Sequence, residues 1–169
     1  MTHDTSFRQA APHDIARLAD LRWDMTIEGG EPPGEEREAF VRACAAFYQR
    51  TLAAGLQTHW VAEREGRVVA TISLHEVEML PRPGRIEDRF GCITNNYTEA
   101  QARGRGIGSG LLRHVVDHAW AADLELLIVW PSERAVPFYD RLGFRWENEV
   151  MELRLRGYVP IAQARQVIG

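Results

Sequence analysis

The chain has 169 residues, 45% of them hydrophobic and 26% charged, enough for one folded domain with a substantial core. Its net charge of −4 gives no general attraction to nucleic acid or to an anionic membrane. All 20 basic residues are arginine, and without a lysine a P-loop, a protein-kinase site and Schiff-base chemistry are excluded.

No apolar run is long enough to cross a bilayer, and Met1-Thr2-His3-Asp4 lacks the basic and apolar regions of a signal peptide. Cys44 and Cys92 are far apart and have no CxxC spacing, so they read as reduced thiols. The expectation is a cytoplasmic protein folded as one domain over residues 1–169.

Phe7 to Ala10 suits a short first strand. Pro12-His13-Asp14 then opens a helix, which Ile15, Leu18, Ala19, Leu21 and Met25 continue with a helical apolar rhythm. Glu28-Gly29-Gly30-Glu31-Pro32-Pro33-Gly34 is a clear loop, followed by a second helix from about Glu35 to Ala54. The period then changes. Thr58 to Glu63 and Val68 to Val77 read as a hairpin turning at Glu65-Gly66-Arg67, and Phe90 to Thr98 as the fourth strand. A helix over Leu111 to Ala122 follows, then the apolar run Leu124 to Trp130, which suits a strand covered on both faces. A short helix and strands at Phe144 to Trp146 and Glu149 to Leu155 complete a mixed sheet.

The most informative stretch joins the fourth strand to the helix after it: Gln101-Ala102-Arg103-Gly104-Arg105-Gly106-Ile107-Gly108-Ser109-Gly110. Glycines there let bare backbone approach a ligand, and the unpaired N–H groups of a first helical turn attract anions. A phosphate-bearing ligand is implied. A dinucleotide fold is disfavoured, because its glycine turn belongs near the start of a βαβ unit with an acidic residue about 20 residues later. Here the turn lies past mid-chain and Leu124 to Trp130 is apolar after Glu125.

Asn96 through Gly108 resembles the acyl-CoA-binding segment of the GNAT N-acetyltransferases, with Arg103, Gly106 and Gly108 in the three defining places. Ser132 through Phe144, with Tyr139 ahead of Gly143-Phe144, is similar to the family's second signature. The resemblance covers about Phe90 to Trp146. It implies an α/β fold with a mixed, mostly antiparallel sheet of six to seven strands and about four helices. The implied activity is acetyl transfer from acetyl-CoA to an amine, by direct attack in a ternary complex and with no metal. No cysteine sits where a covalent relay would need one.

The resemblance also distributes roles. The backbone of Gly104, Arg105, Gly106, Ile107, Gly108 and Ser109, with the Arg103 and Arg105 side chains, would meet the CoA pyrophosphate. Asn96, Tyr97 and Thr98 would pair their main chain with the pantetheine arm and aim an N–H at the thioester carbonyl from a bulge. Tyr139 has the place of the general acid that protonates the departing thiolate. Ser132 stands where many relatives carry Asn. Pro137 fits only if its helix begins near Arg134, since proline has no donor and clashes inside a helix. A homodimer is the family's default.

The general base is not specified. Glu28 and Glu31, in the loop expected beside the acceptor cleft, are candidates, as are Glu76, Glu78, Glu87 and Asp88; a loop acid could equally bind a cationic acceptor. His114 and His118 are spaced for a metal but lack the H-E-x-x-H glutamate, and read as polar-flank residues. Ser109 lacks a nucleophile-elbow context. The five tryptophans read mostly as core or cleft wall. The acidic loop points to a cationic small-molecule acceptor. The rivals are a protein N-terminus or lysine as acceptor, and a non-catalytic acyl-CoA sensor, which would have no turnover for Tyr139→Phe to abolish.

Overall fold

A computed structural model describes residues 5–30 and 34–145. The strands are β1 (Thr5–Gln9), β2 (Thr58–Arg64), β3 (Arg67–Met79), β4 (Asp88–Thr98) and β5 (Leu127–Val129). The helices are α1 (Ile15–Glu28), α2 (Arg37–Ala54), α3 (Ile107–Ala121) and α4 (Val136–Asp140). The strands lie side by side in sequence order, antiparallel from β1 to β4, with β5 parallel to β4. This is the expected mixed, mostly antiparallel α/β architecture. Five strands stand among the described residues instead of six to seven. Phe144 and Arg145 are not in a strand, and the remaining positions expected to be strand, Trp146 and Glu149 to Leu155, lie outside the described residues.

Local chemistry sets the turns. Glu65 and Gly66 both have positive φ, 54° and 72°, which matches the twist of a tight β2–β3 hairpin. Gly55 closes α2 in the left-handed conformation at φ 63°. Pro137 is tolerated because a 3-10 turn, Glu133–Ala135, precedes α4 and leaves proline in the first helical turn.

The sheet separates two apolar layers. Trp60 and Ala62 of β2, with Ile72 and Leu74 of β3, pack on Leu111, Leu112 and Val115 of α3. On the other side Val61, Val68 and Tyr97 join Leu18 and Leu21 of α1 and Tyr48 of α2. The end of β4 is tied to the second layer by charge. The buried Glu99 carboxylate receives Arg17 of α1 at 2.6 Å and both arms of Arg67 at 2.8 Å. A charge taken this far from water persists only when it is paired in this way.

Two elements differ from the sequence reading. α3 starts at Ile107, four residues before Leu111, and takes Gly108 and Gly110 into its first turns. These glycines are packing residues. A Cβ on Gly110 would lie 2.5 Å from the Phe7 ring, and one on Gly108 would lie 3.0 Å from the Thr98 hydroxyl. β5 is shorter than Leu124 to Trp130, and Leu126 and Trp130 are 47% and 64% exposed rather than covered on both faces. Trp120, at 78% exposure, is not a core residue; with Trp130 it lines a hollow between α3, β5 and α4.

Gly110→Ala drives a methyl group into the Phe7 ring and should destabilise the fold by roughly 1–3 kcal/mol, the usual range for overpacking. Urea denaturation checks this, and Phe7→Leu in the same chain should recover part of the loss because the two sites are coupled. Full stability of the single variant would show that β1 and α3 are not in this contact.

Candidate active site

The site is built where β4 loses both of its regular partnerships. Toward β3 the register runs Thr71↔Tyr97 and then Ser73↔Thr94, so β4 carries one extra residue opposite Ile72. That bulge falls at Asn95-Asn96, and Asn95 takes φ 52°, a conformation asparagine tolerates better than most residues. Toward β5 the pairing covers only Gly91 to Ile93 against Leu127 to Val129. β5 ends there, leaving Thr94 to Thr98 without a strand partner on that side among the described residues.

The glycine turn lies just past this free edge. Gly104 and Gly106 have φ 74° and 76°, a region that disfavours side chains, and nothing stands within 4 Å of a Cβ built on either. The first bond of the helical ladder runs from Gly110 N–H to Gly106 O at 2.8 Å. The amides of Ile107, Gly108 and Ser109 therefore face out of the helix end without a ladder partner. This open cradle of donors at the positive end of α3 fits a pyrophosphate.

The two asparagines of the bulge face opposite sides of the sheet. Asn96 Nδ2 donates to the Tyr139 hydroxyl at 2.9 Å, on the α3–α4 face. Asn95 Nδ2 donates to the Tyr48 hydroxyl at 2.7 Å, on the α1–α2 face. Tyr139 is 6% exposed; burial pushes its phenol up, and the Asn96 bond opposes that rise. Burial pushes the Tyr48 phenol up to about 12. Behind Tyr48, the buried His59 bonds Thr51 at 3.1 Å and Ser73 at 2.8 Å, and desolvation holds it neutral with a pKa of about 4. Sequence reasoning missed the side-chain roles of Asn95, Asn96 and Tyr48. The one available signal was the Asn-Asn pair in a strand, because asparagine favours left-handed backbone.

Glu28 is not in a loop: it is the last residue of α1. Both arms of Arg103 reach it at 2.6 Å, Arg134 at 3.2 Å and the Tyr97 hydroxyl at 3.2 Å. The Arg103 bonds lead in pulling its pKa from the ordinary 4.5 to about 2. A carboxylate so held is a weaker base than a free glutamate, the opposite of the shift that suits a general base. Arg103 is correspondingly committed within the protein, with Nε on the Thr98 carbonyl at 2.8 Å and its guanidinium over the Tyr97 ring. Arg105, exposed in the cradle, has no partner among the described residues. Ser132 begins the 3-10 turn before α4 and is exposed.

The other acids expected as bases do not converge on the bulge. Glu76 is bound by Arg89 at 2.8 Å and by His118 at 3.2 Å, and Asp88 is paired with Arg82 and Arg85. Asp88 opens β4, at the opposite end of the strand from Asn96, where Glu78 stands across the ladder from Arg89; Glu87 directly precedes it. Glu31 lies outside the described residues. His114 and His118 flank the buried Trp60 ring at 5.2 and 5.1 Å, in keeping with a packing role. Among the described residues no cluster of three metal-ligating side chains occurs, and no helix is long and apolar enough to cross a membrane. An apolar hollow of about 630 Å³ between α3, β5 and α4 shares Tyr139 with the site but includes no residue of the cradle.

A bulged strand left unpaired past a short parallel neighbour, with a glycine cradle at the following helix, defines an acyltransferase-type α/β fold. The chain belongs to the acetyltransferase (GNAT) family, whose sequence model matches residues 15–144. It is similar to a glucosamine 6-phosphate N-acetyltransferase of Trypanosoma brucei brucei, 31% identical over 90 residues. That match covers 53% of this chain and 59% of the relative, so the chain spans little more than half the length of that curated protein. A predicted acetyltransferase of Clostridium acetobutylicum, solved with acetyl-CoA, superposes with TM-score 0.76 at 28% identity, covering 90% of this chain and 97% of its own. A GCN5-related N-acetyltransferase of Ralstonia eutropha, at 24% identity, shares the fold with TM-score 0.71 over 89% of this chain and 99% of its own.

The Glu28 cluster sets a pH dependence. Its folded pKa lies below the ordinary value, so its contribution is complete above pH 4.5 and fades as pH falls toward 2. Glu28→Gln should be less stable than the parent by roughly 1 kcal/mol at about pH 6, discounted for solvent screening, with the gap closing in acid. Urea midpoints at about pH 6 and pH 3 check this. A gap that widens in acid would contradict the ion pairing.

Proposed function

We propose that the protein transfers an acetyl group from acetyl-CoA to the amine of a small molecule by direct attack in a ternary complex. The observation that carries this is the pairing of an open amide cradle at 104–109 with a buried, hydrogen-bonded phenol, Tyr139, across the free edge of β4. The donor supplies an activated thioester and a thiolate leaving group. The remaining chemistry belongs to the chain.

The amides of 104–109, with the α3 dipole and the exposed Arg105, hold the pyrophosphate. Residues Asn96, Tyr97 and Thr98 offer the strand edge along which the pantetheine amides can pair as an added strand would. The bulge turns a main-chain N–H out of the ladder, and such a donor supports charge developing on the acetyl oxygen. Ser132, at the start of the opposite wall, offers a hydroxyl to the cofactor. Tyr139, kept protonated by burial, gives its proton to the departing sulfur. Glu28 acts by charge and position, holding Arg103 against the end of β4. The ammonium proton therefore leaves through water at the cleft mouth.

The acceptor is a small amine. The similarity to a glucosamine 6-phosphate N-acetyltransferase makes an amino-sugar phosphate the first candidate. The acidic residues near the end of α1 keep cationic amines in the same panel.

Thiol release from acetyl-CoA, measured across amino-sugar phosphates, polyamines, aminoglycosides and amino acids, tests the reading. One acceptor should give turnover, and Tyr139→Phe should lower kcat by about 10²- to 10⁴-fold while CoA affinity by calorimetry stays the same. Undiminished turnover in Tyr139→Phe would remove the phenol from the mechanism. Absence of CoA binding would remove the whole reading.

A further inference from the structure

We propose that the Asn96 side chain is the positioning residue of Tyr139: by donating to the phenol oxygen it fixes the hydroxyl and leaves the phenol's own proton free to be given away. The inference rests on the reading of Tyr139 as the leaving-group acid and adds a side-chain role to a residue otherwise used through its backbone.

The geometry is specific. Asn96 Nδ2 lies 2.9 Å from the Tyr139 oxygen, and a donor in one lone pair leaves the single phenolic proton to point elsewhere. The rest of the surroundings is apolar. Phe138 and Phe144 meet the Tyr139 ring edge-on at 5.1 and 5.3 Å, while Ile93 of β4, Val129 of β5, and Leu111 and Val115 of α3 belong to the same cluster. Asp140 and Arg141, next along the chain, are exposed, and Arg145 places its guanidinium on the carbonyls of Asp140 and Phe144. Burial and the Asn96 bond are the influences on the phenol's titration, and they act in opposite directions.

The bulge supplies the reason for asparagine. Neighbours in a regular strand already face opposite sides, so an unbroken ladder would put Asn95 on the side of Ile93, in the Tyr139 layer; the extra residue puts Asn96 there instead and leaves Asn95 facing Tyr48. Asn95 makes the same kind of bond to Tyr48 on the far face, so the device occurs twice in adjacent residues. An aspartate at 96 would reverse the polarity, since an ionised carboxylate can only accept and would tie up the phenolic proton.

The test titrates the Tyr139 phenol directly by NMR of protein labelled at the tyrosine ζ carbon, with the resonance assigned by its loss in Tyr139→Phe. Asn96→Ala should move the titration up by about half to one pH unit. With the fastest acceptor of the amine panel, kcat should fall roughly 3- to 10-fold. KM for acetyl-CoA should be unchanged, and the basic limb of kcat should move with the phenol. Asn96→Ser, which keeps a hydroxyl donor, should restore part of both effects; Asn96→Asp should exceed Asn96→Ala in both.

A titration that stays put or moves down in Asn96→Ala would overturn the proposal, because it would mean that the phenol makes no bond to Asn96 or donates to it. Loss confined to KM would overturn it as well. Full activity in Tyr139→Phe would instead defeat the acid assignment, while a slow Tyr139→Phe beside an unaffected Asn96→Ala would defeat this inference alone.

Discussion

One slipped residue in β4 organises the site. A regular ladder would keep β4 paired along its length and its side chains in strict alternation. The extra residue opposite Ile72, with Asn95 in the left-handed region, breaks both rules at the same point. It interrupts the ladder and puts Asn96, in place of Asn95, on the side of Tyr139. Because β5 pairs only with Gly91 to Ile93, the slip occurs where the neighbouring strand has already ended. The opening is therefore a property of the backbone. Side chains on either wall then select what it does.

Packing and charge hold that opening in place. Gly91 lets β5 approach β4, since a Cβ there would lie 2.4 Å from Leu127 and 2.8 Å from Leu74. Gly110 does the same for α3 and β1. At the far end of the strand, Glu99 gathers Arg17 and Arg67, while Glu28 gathers Arg103 and Arg134. Two carboxylates thus join α1, the start of β3, the cradle turn and the segment before α4. Arginine suits both places, because its planar fork can engage a carboxylate through two bonds.

Much of this was legible in the residues. The change from helical to alternating period located the elements, and the glycine turn located the cradle, because both follow from local backbone chemistry. The proline before Phe138 correctly required a late helix start. Less accessible was anything that depends on which residues meet across the fold. Glu28 read as a loop acid because its three arginine and tyrosine partners are distant in sequence. Asn96 read as backbone, and Asn95 drew no role, because nothing local reveals where a register slips. The Leu124 to Trp130 run read as fully covered because apolar composition does not show how far pairing extends. Gly108 and Gly110 drew no packing role from the sequence, yet their contacts show that they also admit Thr98 and Phe7.

Amide hydrogen exchange with and without acetyl-CoA tests the central claim most directly, because it reads the donors that the bulge and the cradle leave unpaired. The expected result is new protection at residues 104–109 and along 96–98, with little change in α2 or the β2–β3 hairpin. Protection confined to the hollow between β5 and α4, with the cradle amides still exchanging freely, would contradict it.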